Sequence, residues 1–439
     1  MSIKLFRKII FGAALVLSCN VVSAQDGAYS SYSPYSVFGV GDIARQGTAY
    51  NKSMGGVGIA SRNNRFINYL NPAAVAARDT LSFMLDFGVY GEGKIYKQGD
   101  VKSASNIFNI YDFVFTVPIY KKSAFIAGIT PYSSLGYDFS HDITDPALVA
   151  SAGNINYRSN GEGSLYQLFL GGGATFWNKL SVGAQFLYYF GNMDKSTSMD
   201  FTSASYRDIY SGYNLNLHAV GGKFGVQYDQ ALAPGLYMTV GATYKTSSRL
   251  KGRVSDYKYA TISSQSDTLH YNVDTLSHGS NVKLASEYGV GIALRKGDKW
   301  RIEFDYTRSD WRNSNFDKTT GFANVGASTF STTYSQSFKA GFEIVPNRND
   351  IRYYMRRCSY RAGIYYDRDY YKLDGNTVNS YGVTLGITLP VFRWYNGISI
   401  GVDLGQRGTN TGNMIRERYA MFVVGFNIHD IWFQKPKYD

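Results

Sequence analysis

Cysteine is nearly absent from this chain of 439 residues: Cys19 and Cys358 are the whole complement. Cys19 falls in an N-terminal export segment, so Cys358 has no partner for an intramolecular disulfide, and a disulfide-stapled fold is excluded. Proline is scarce too, at 9, and no Pro/Ser/Gly-rich linker or low-complexity tract cuts the chain into modules. Beyond the export segment no apolar run approaches the roughly 20 residues that a membrane-spanning helix takes, which excludes a helical membrane protein. The histidines, His141, His218, His270, His278 and His429, lack metal-ligand spacing, and no Gly-x-Ser-x-Gly nucleophile elbow occurs. Gly171-Gly172-Gly173 and Gly289-Val290-Gly291 lie inside strand-like runs, whereas a phosphate cradle needs its glycines between a strand and a helix N-terminus. No catalytic residue, cofactor or metal is therefore expected, and the chain reads as a non-enzyme.

What is abundant is alternation. In Trp300-Arg301-Ile302-Glu303-Phe304-Asp305-Tyr306 every second residue is apolar and those between are charged. The pattern recurs in fourteen candidate strands, from 80–96 and 106–120 through 123–139, 235–254 and 353–371 to 415–432. A strand with one apolar and one charged face, repeated many times, describes a closed sheet in lipid with a polar interior. Lipid offers no partner to a backbone N–H or C=O, so such a sheet must close on itself. The expected fold is all-β: a transmembrane antiparallel up-and-down β-barrel of about fourteen strands in the bacterial outer membrane. The aromatic content of 16%, with Tyr 38 and Gly 46, suits interfacial girdles where one end of a side chain is dry and the other wet.

Export fits that location. Lys4, Arg7 and Lys8 form a basic region, Ile9 to Leu17 an apolar one, and Val22-Ser23-Ala24 a small-residue cleavage site, so 1–24 read as a signal peptide. Ser18-Cys19 is a competing lipoprotein site, for which Leu17 is poorly suited. The net charge of +12 suits anionic headgroups; dispersed basic residues on an exported chain argue against nucleic acid.

Short links, such as Lys121-Lys122, Asn178 and Lys296 to Lys299, alternate with longer polar ones at 140–161, 255–281 and 314–331. Strict alternation of this kind predicts short periplasmic turns, long outer loops, an even strand count and both termini on the periplasmic side. Within the strands, Phe83, Leu85, Phe87 and Val89, or Tyr288, Val290, Ile292 and Leu294, form uncharged faces assigned to lipid. The opposite faces carry Asp86, Lys245, Arg301, Glu303, Asp305, Arg361 and Asp403, assigned to the lumen. For Glu303 and Asp305, two residues apart on that face, the plain reading is a solvated wall that pairs with Arg301 rather than acid–base chemistry; Arg301 and Arg361 are lumen-facing candidates by alternation.

Residues 25–79 do not alternate. They hold Tyr32 to Gly41, then Met54-Gly55-Gly56-Val57-Gly58, then Asn71-Pro72-Ala73-Ala74-Val75-Ala76-Ala77, which reads as a short helix with Asn71 as N-cap and Pro72 at the first helical position. The expected organisation is signal peptide 1–24, an N-terminal hatch plugging the lumen at 25–79, and the barrel at 80–439. A mobile periplasmic extension is the alternative for 25–79.

Taken in order, the Gly-rich N-terminal stretch, Asn71-Pro72-Ala73, Pro118, Gly128-Ile129-Thr130-Pro131-Tyr132, Leu284 to Tyr288, Lys299-Trp300-Arg301 and Ser309-Asp310-Trp311 resemble the FadL/TodX family of outer-membrane transporters of hydrophobic compounds. The chain departs from that pattern after Trp432-Phe433, continuing Gln434-Lys435-Pro436-Lys437-Tyr438-Asp439, which marks a divergent branch. The resemblance implies a fourteen-stranded barrel with a hatch and passive uptake of hydrophobic small molecules, foremost long-chain fatty acids. It also implies release sideways into the bilayer at a kinked third strand, here Gly128, Pro131 and Gly136. Pro131 cannot donate to a ladder and glycine weakens one; a harmless rim proline is the competing reading. Implied partners are the hydrophobic ligand, membrane lipid and the barrel-assembly machinery during biogenesis. The alternative function is a barrel that serves a secretion system or anchors cargo, docking through 140–161 and 255–281. A general polar porin fits the charged wall but conflicts with a plug.

Overall fold

The computed structural model of the chain describes residues 31–77, 82–203, 205–262, 265–276, 281–323, 329–391, 396–412 and 414–431. The signal peptide, Cys19 and the tail beyond Ile431 lie outside these. The wall is made of β1 (Ser82–Gln98), β2 (Val101–Tyr120), β3 (Ser123–Asp142), β4 (Ile155–Phe176), β5 (Leu180–Phe201), β6 (Asp208–Ala233) and β7 (Leu236–Lys245), followed by β8 (Glu287–Lys296), β9 (Trp300–Asp310), β10 (Tyr334–Ile344), β11 (Ser359–Leu373), β12 (Asn376–Pro390), β13 (Gly397–Arg407) and β14 (Arg416–Ile431). Each strand is antiparallel to the next, and β14 pairs with β1 from Ser82↔Ile431 to Lys97↔Arg416, closing a barrel of 14 strands. The even number returns both ends of the wall to one rim.

Period-2 alternation places the side chains. Along β9, Glu303 is 0% exposed and Phe304 54%; Val290, Leu385 and Phe422 project outward with Phe304, while Asp86, Arg361 and Asp403 are buried inside. An outward belt of large apolar side chains can be stable only against lipid. The molecule is a transmembrane barrel of the outer-membrane type.

The strict alternation of short and long links does not hold. Gly99–Asp100 and Asp374–Gly375, at the rim away from the termini, are two-residue turns with positive φ at Gly99, Asp374 and Gly375. In the other direction, 345–358 at the terminal rim is long and carries a helical turn, Tyr354–Arg357, so the strand expected at 353–371 begins only at Ser359. The strand expected at 235–254 leaves the wall after Lys245. Most of the loop expected at 255–281 is a hairpin, Lys251–Ile262 with Gln265–Thr275, and its first arm pairs with the outer half of β6 from Lys251↔His218 to Thr261↔Asp208. Tyr257, Tyr259, Leu269, Tyr271 and Val273 have the β propensity for this; both faces stand above lipid, so the lipid-strand pattern is absent. The 140–161 link is likewise shortened to 143–154 by the β3–β4 ladder and holds the helix Pro146–Ala152, capped by Asp145 Oδ1, which accepts from Ala147 N at 2.9 Å.

Residues 31–77 run inside the barrel. Val40, Met54, Val57, Ala60, Ile67 and Ala73 are 0% exposed, and the largest apolar cluster of the molecule joins this inner segment to inward residues of the wall, among them Val114, Leu135, Phe169, Leu187 and Tyr371.

Candidate functional site

A polypeptide can cross a barrel only where the wall makes room. Gly173, Gly183 and Gly225 on β4, β5 and β6 leave a bare strip, and a Cβ at any of them would collide with Asn71 or Pro72. On that strip Pro72–Ala77 forms a 3₁₀ helix rather than an α-helix, its first turn held by Asn71 Oδ1 accepting from Ala73 N at 3.0 Å. Asn71 Nδ2 donates to Ile59 O at 2.7 Å and to Val226 O at 3.3 Å, so Asn71 ties the inner segment to itself and to β6. Asn71→Ala leaves the buried Ala73 N–H without its acceptor, worth ~1–3 kcal/mol, and leaves Ile59 O only Gln227 Nε2 at 3.0 Å; faster hydrogen exchange around Ile59 and Ala73 with an unchanged barrel is expected, and unchanged exchange would refute the tie.

The four lumen candidates meet the inner segment, which corrects the expectation of a solvated wall. Asp305 Oδ2 accepts from the backbone N–H of Gly58 at 2.6 Å and Ile59 at 2.8 Å. Arg301 donates to Tyr50 OH at 2.8 Å and Arg62 O at 3.1 Å, and Tyr50 OH donates to Glu343 Oε2 at 2.9 Å. Arg361 lies 4.8 Å over the Tyr50 ring, and Glu303 faces Arg301 at 3.5 Å. Their charges are buried because a folded segment, not water, occupies that height of the lumen. Burial first, then the neighbouring Arg45 charge, pushes the Lys52 ammonium of the inner segment down to about 8.

The third strand is where the wall departs from a regular ladder. β1 and β2 pair up to the Gln98↔Val101 turn, but β2 and β3 pair only from Phe113↔Ile129 to Tyr120↔Ser123. From Thr130 outward β3 takes the inner segment as its partner instead. Asp42 and Ile43 pair with Ser134 and Ser133, Ala44 N donates to Tyr132 O at 2.9 Å, and Ser33 N donates to Gly136 O at 2.8 Å. Gly128 still sits in the β2–β3 ladder opposite Val114. Pro131 lies just past its end, where Tyr132 also drops out of the β3–β4 register. At Gly136 a Cβ would fall on the Ser31 carbonyl; only glycine lets the segment lie so close. The result is a break in the wall between β2 and β3, backed by residues 31–46.

Behind the break, between inner segment and wall, is a cavity of about 340 Å³ that reaches from Pro131 and Tyr132 to Lys223, Lys245 and Lys339. Lys223 and Lys245 face each other directly in the β6–β7 ladder, an arrangement that costs free energy unless an anion lies between or near them. Lys245 Nζ is 3.3 Å from Glu287 Oε2 and 5.5 Å from the Tyr132 ring centroid, whereas Lys223 and Lys339 make no hydrogen bond or ion pair among the described residues. Sequence reasoning passed over Lys223 and Lys339 and named Tyr132 only as the end of the Gly128–Tyr132 run; the inward parity of the two lysines on β6 and β10 was the available signal. Among the described residues no group of three His, Cys, Asp or Glu is placed to hold a metal ion.

Three solved structures share this architecture. The Ralstonia pickettii toluene transporter TbuX superposes with a TM-score of 0.58 at 14% identity, over 87% of this chain and 98% of that one. A Pseudomonas aeruginosa FadL homologue gives 0.55 at 11%, over 89% and 99%. The P. putida toluene transporter TodX gives 0.54 at 13%, over 91% and 100%. Likeness at such identities establishes the barrel fold that the FadL/TodX-like motifs imply. No curated protein matches the sequence. The BamG family model matches residues 5–439, essentially end to end, and the chain belongs to the BamG family.

Proposed function

We propose that this protein is a passive uptake channel for hydrophobic small molecules that carry an acidic head, with long-chain fatty acids as the representative ligand. Residues 31–77 act as its hatch and the β2–β3 break as its lateral exit. The break carries the reading, because beyond Phe113↔Ile129 β2 and β3 no longer pair, so a ligand passing from lumen to lipid there has no strands to unzip. The cavity behind it supplies the head contact: Lys223, Lys245 and Lys339 face Glu287 and Asp305, Asp305 is already held by Gly58 N and Ile59 N, and a ligand carboxylate relieves the repulsion between the lysines. The acyl chain gains roughly 0.8 kcal/mol per CH₂ removed from water, so capture needs no energy source. Release into lipid at Pro131 returns the chain to an equally apolar phase.

The test is uptake of labelled oleate by cells lacking their own fatty-acid barrel. The chain is expected to restore uptake, and Lys223→Met with Lys339→Met to reduce it at least fivefold with normal surface folding. No uptake from a correctly folded barrel would overturn the reading. It would leave the secretion-partner role, for which the projecting Lys251–Thr275 hairpin, with Leu269 and Tyr271 exposed, is the docking surface.

A further inference from the structure

The lipid-facing side of β8 to β11 has a dimple. At one height the outward residues of β9, β10 and β11 are Phe304, Ala340 and Ile364, in direct register. The small Ala340 side chain, framed by those neighbours and by Ile292, Phe338 and Tyr366, leaves a groove of about 530 Å³ on the outer surface. Toward the rim away from the termini, the same face carries a second feature, also in register: Arg308↔Gln336↔Arg368. Both guanidiniums lie over the Tyr334 ring, at 4.9 Å and 4.4 Å. Arg368 donates to Tyr334 OH at 2.9 Å, and Gln336 donates to Tyr306 OH at 2.9 Å.

Among the described residues neither arginine makes an ion pair. Asp310, two residues beyond Arg308 on the same face, is taken by Arg312 in a two-point contact at 2.9 Å and 2.6 Å. Two cations therefore sit on the outside of a barrel, at the aromatic border of the apolar belt, directly above an acyl-sized groove. Arginine's planar fork matches phosphate oxygens, and cations at this depth are stabilised by anionic headgroups.

We propose that this face holds one phosphate-bearing lipid of the outer leaflet, its phosphate on Arg308 and Arg368 and an acyl chain lying over Ala340. The site is independent of the lumen, and its fate does not depend on the uptake reading.

The purified full-length barrel is mixed with phosphorylated lipid A, the same lipid after phosphate removal, or phosphate-free diacylglycerol, and retained lipid is counted by native mass spectrometry. One tightly held phosphorylated lipid is expected, with at least tenfold less of the other two. Arg308→Gln with Arg368→Gln should remove that preference at least tenfold, and Ala340→Trp, which keeps both charges and fills the groove, should weaken retention severalfold. Arg352→Gln on the opposite rim should change nothing. Heat-modifiable gel migration establishes that each variant is folded, and the single arginine variants serve where the double one fails to fold. Equal retention of the dephosphorylated lipid, no loss in the variants, or a dimer in place of bound lipid would overturn the proposal.

Discussion

Gly136→Ala is expected to detach the inner segment from β3 and accelerate its proteolysis at least tenfold, with the barrel itself intact. The added Cβ falls on a backbone carbonyl, that of Ser31, which cannot rotate away as a side-chain end could. The 31–46 limb must then move, losing Ser33 N to Gly136 O, Gly136 N to Ser36 Oγ and the Asp42–Ile43 pairing. At a net ~1 kcal/mol for each hydrogen bond, the loss rivals the stability of a segment held mainly by side-chain contacts. The ladder on the β4 side of β3 runs past Gly136 to Asp142↔Asn156, which is why the wall survives. Trypsin cleavage after Arg45 or Lys52, followed on the folded protein, reads the effect. Cleavage no faster than in the native chain would show that β3 does not hold the limb.

The second large effect is on conductance. Deleting residues 31–77 should convert a nearly non-conducting barrel into an open pore, with single-channel conductance in planar bilayers rising at least tenfold. The closing ladder between β1 and β14 begins at Ser82 and needs nothing N-terminal to it. The charges that the segment covers, Arg301, Glu303, Glu343 and Arg361, become hydrated and so lose their burial cost, which favours persistence of the empty wall. Oleate uptake should fall at the same time, because a water-filled lumen no longer presents a bounded cavity. An unchanged conductance would refute the hatch role.

Most of the wall was legible because lipid imposes the harshest of patterns: each strand must be apolar on one side and closed on the other. Phe304 beside Glu303 is sufficient to orient β9. Where lipid stops, the signal stops. The Lys251–Thr275 hairpin is a long ladder with one bulge at Lys258–Tyr259, yet with Val254 and Ala260 buried and no lipid-facing belt it carries no lipid alternation to read. The inner segment was legible only as something that does not alternate. Its partners lie up to hundreds of residues away, as with Arg45 and Asp403 at 2.8 Å. Gly128, Pro131 and Gly136 were singled out as one weak stretch, but their circumstances differ. Gly128 stays in the ladder, Pro131 marks its end, and Gly136 permits a close backbone approach that no local pattern encodes.

The inner segment touches both ends of the synthetic order. Asp42 is held by Arg407 at 2.7 Å and Ser33 by Glu417 at 2.5 Å, on the last two strands to leave the ribosome, while Asn71 rests on the middle of the chain. Its final contacts cannot exist until the C-terminal strands have arrived, yet once β1 and β14 have zipped together the lumen is a confined space. Seating of the inner segment is therefore completed no earlier than the arrival of β13 and β14. A barrel whose seam closes early would trap its own N-terminus outside.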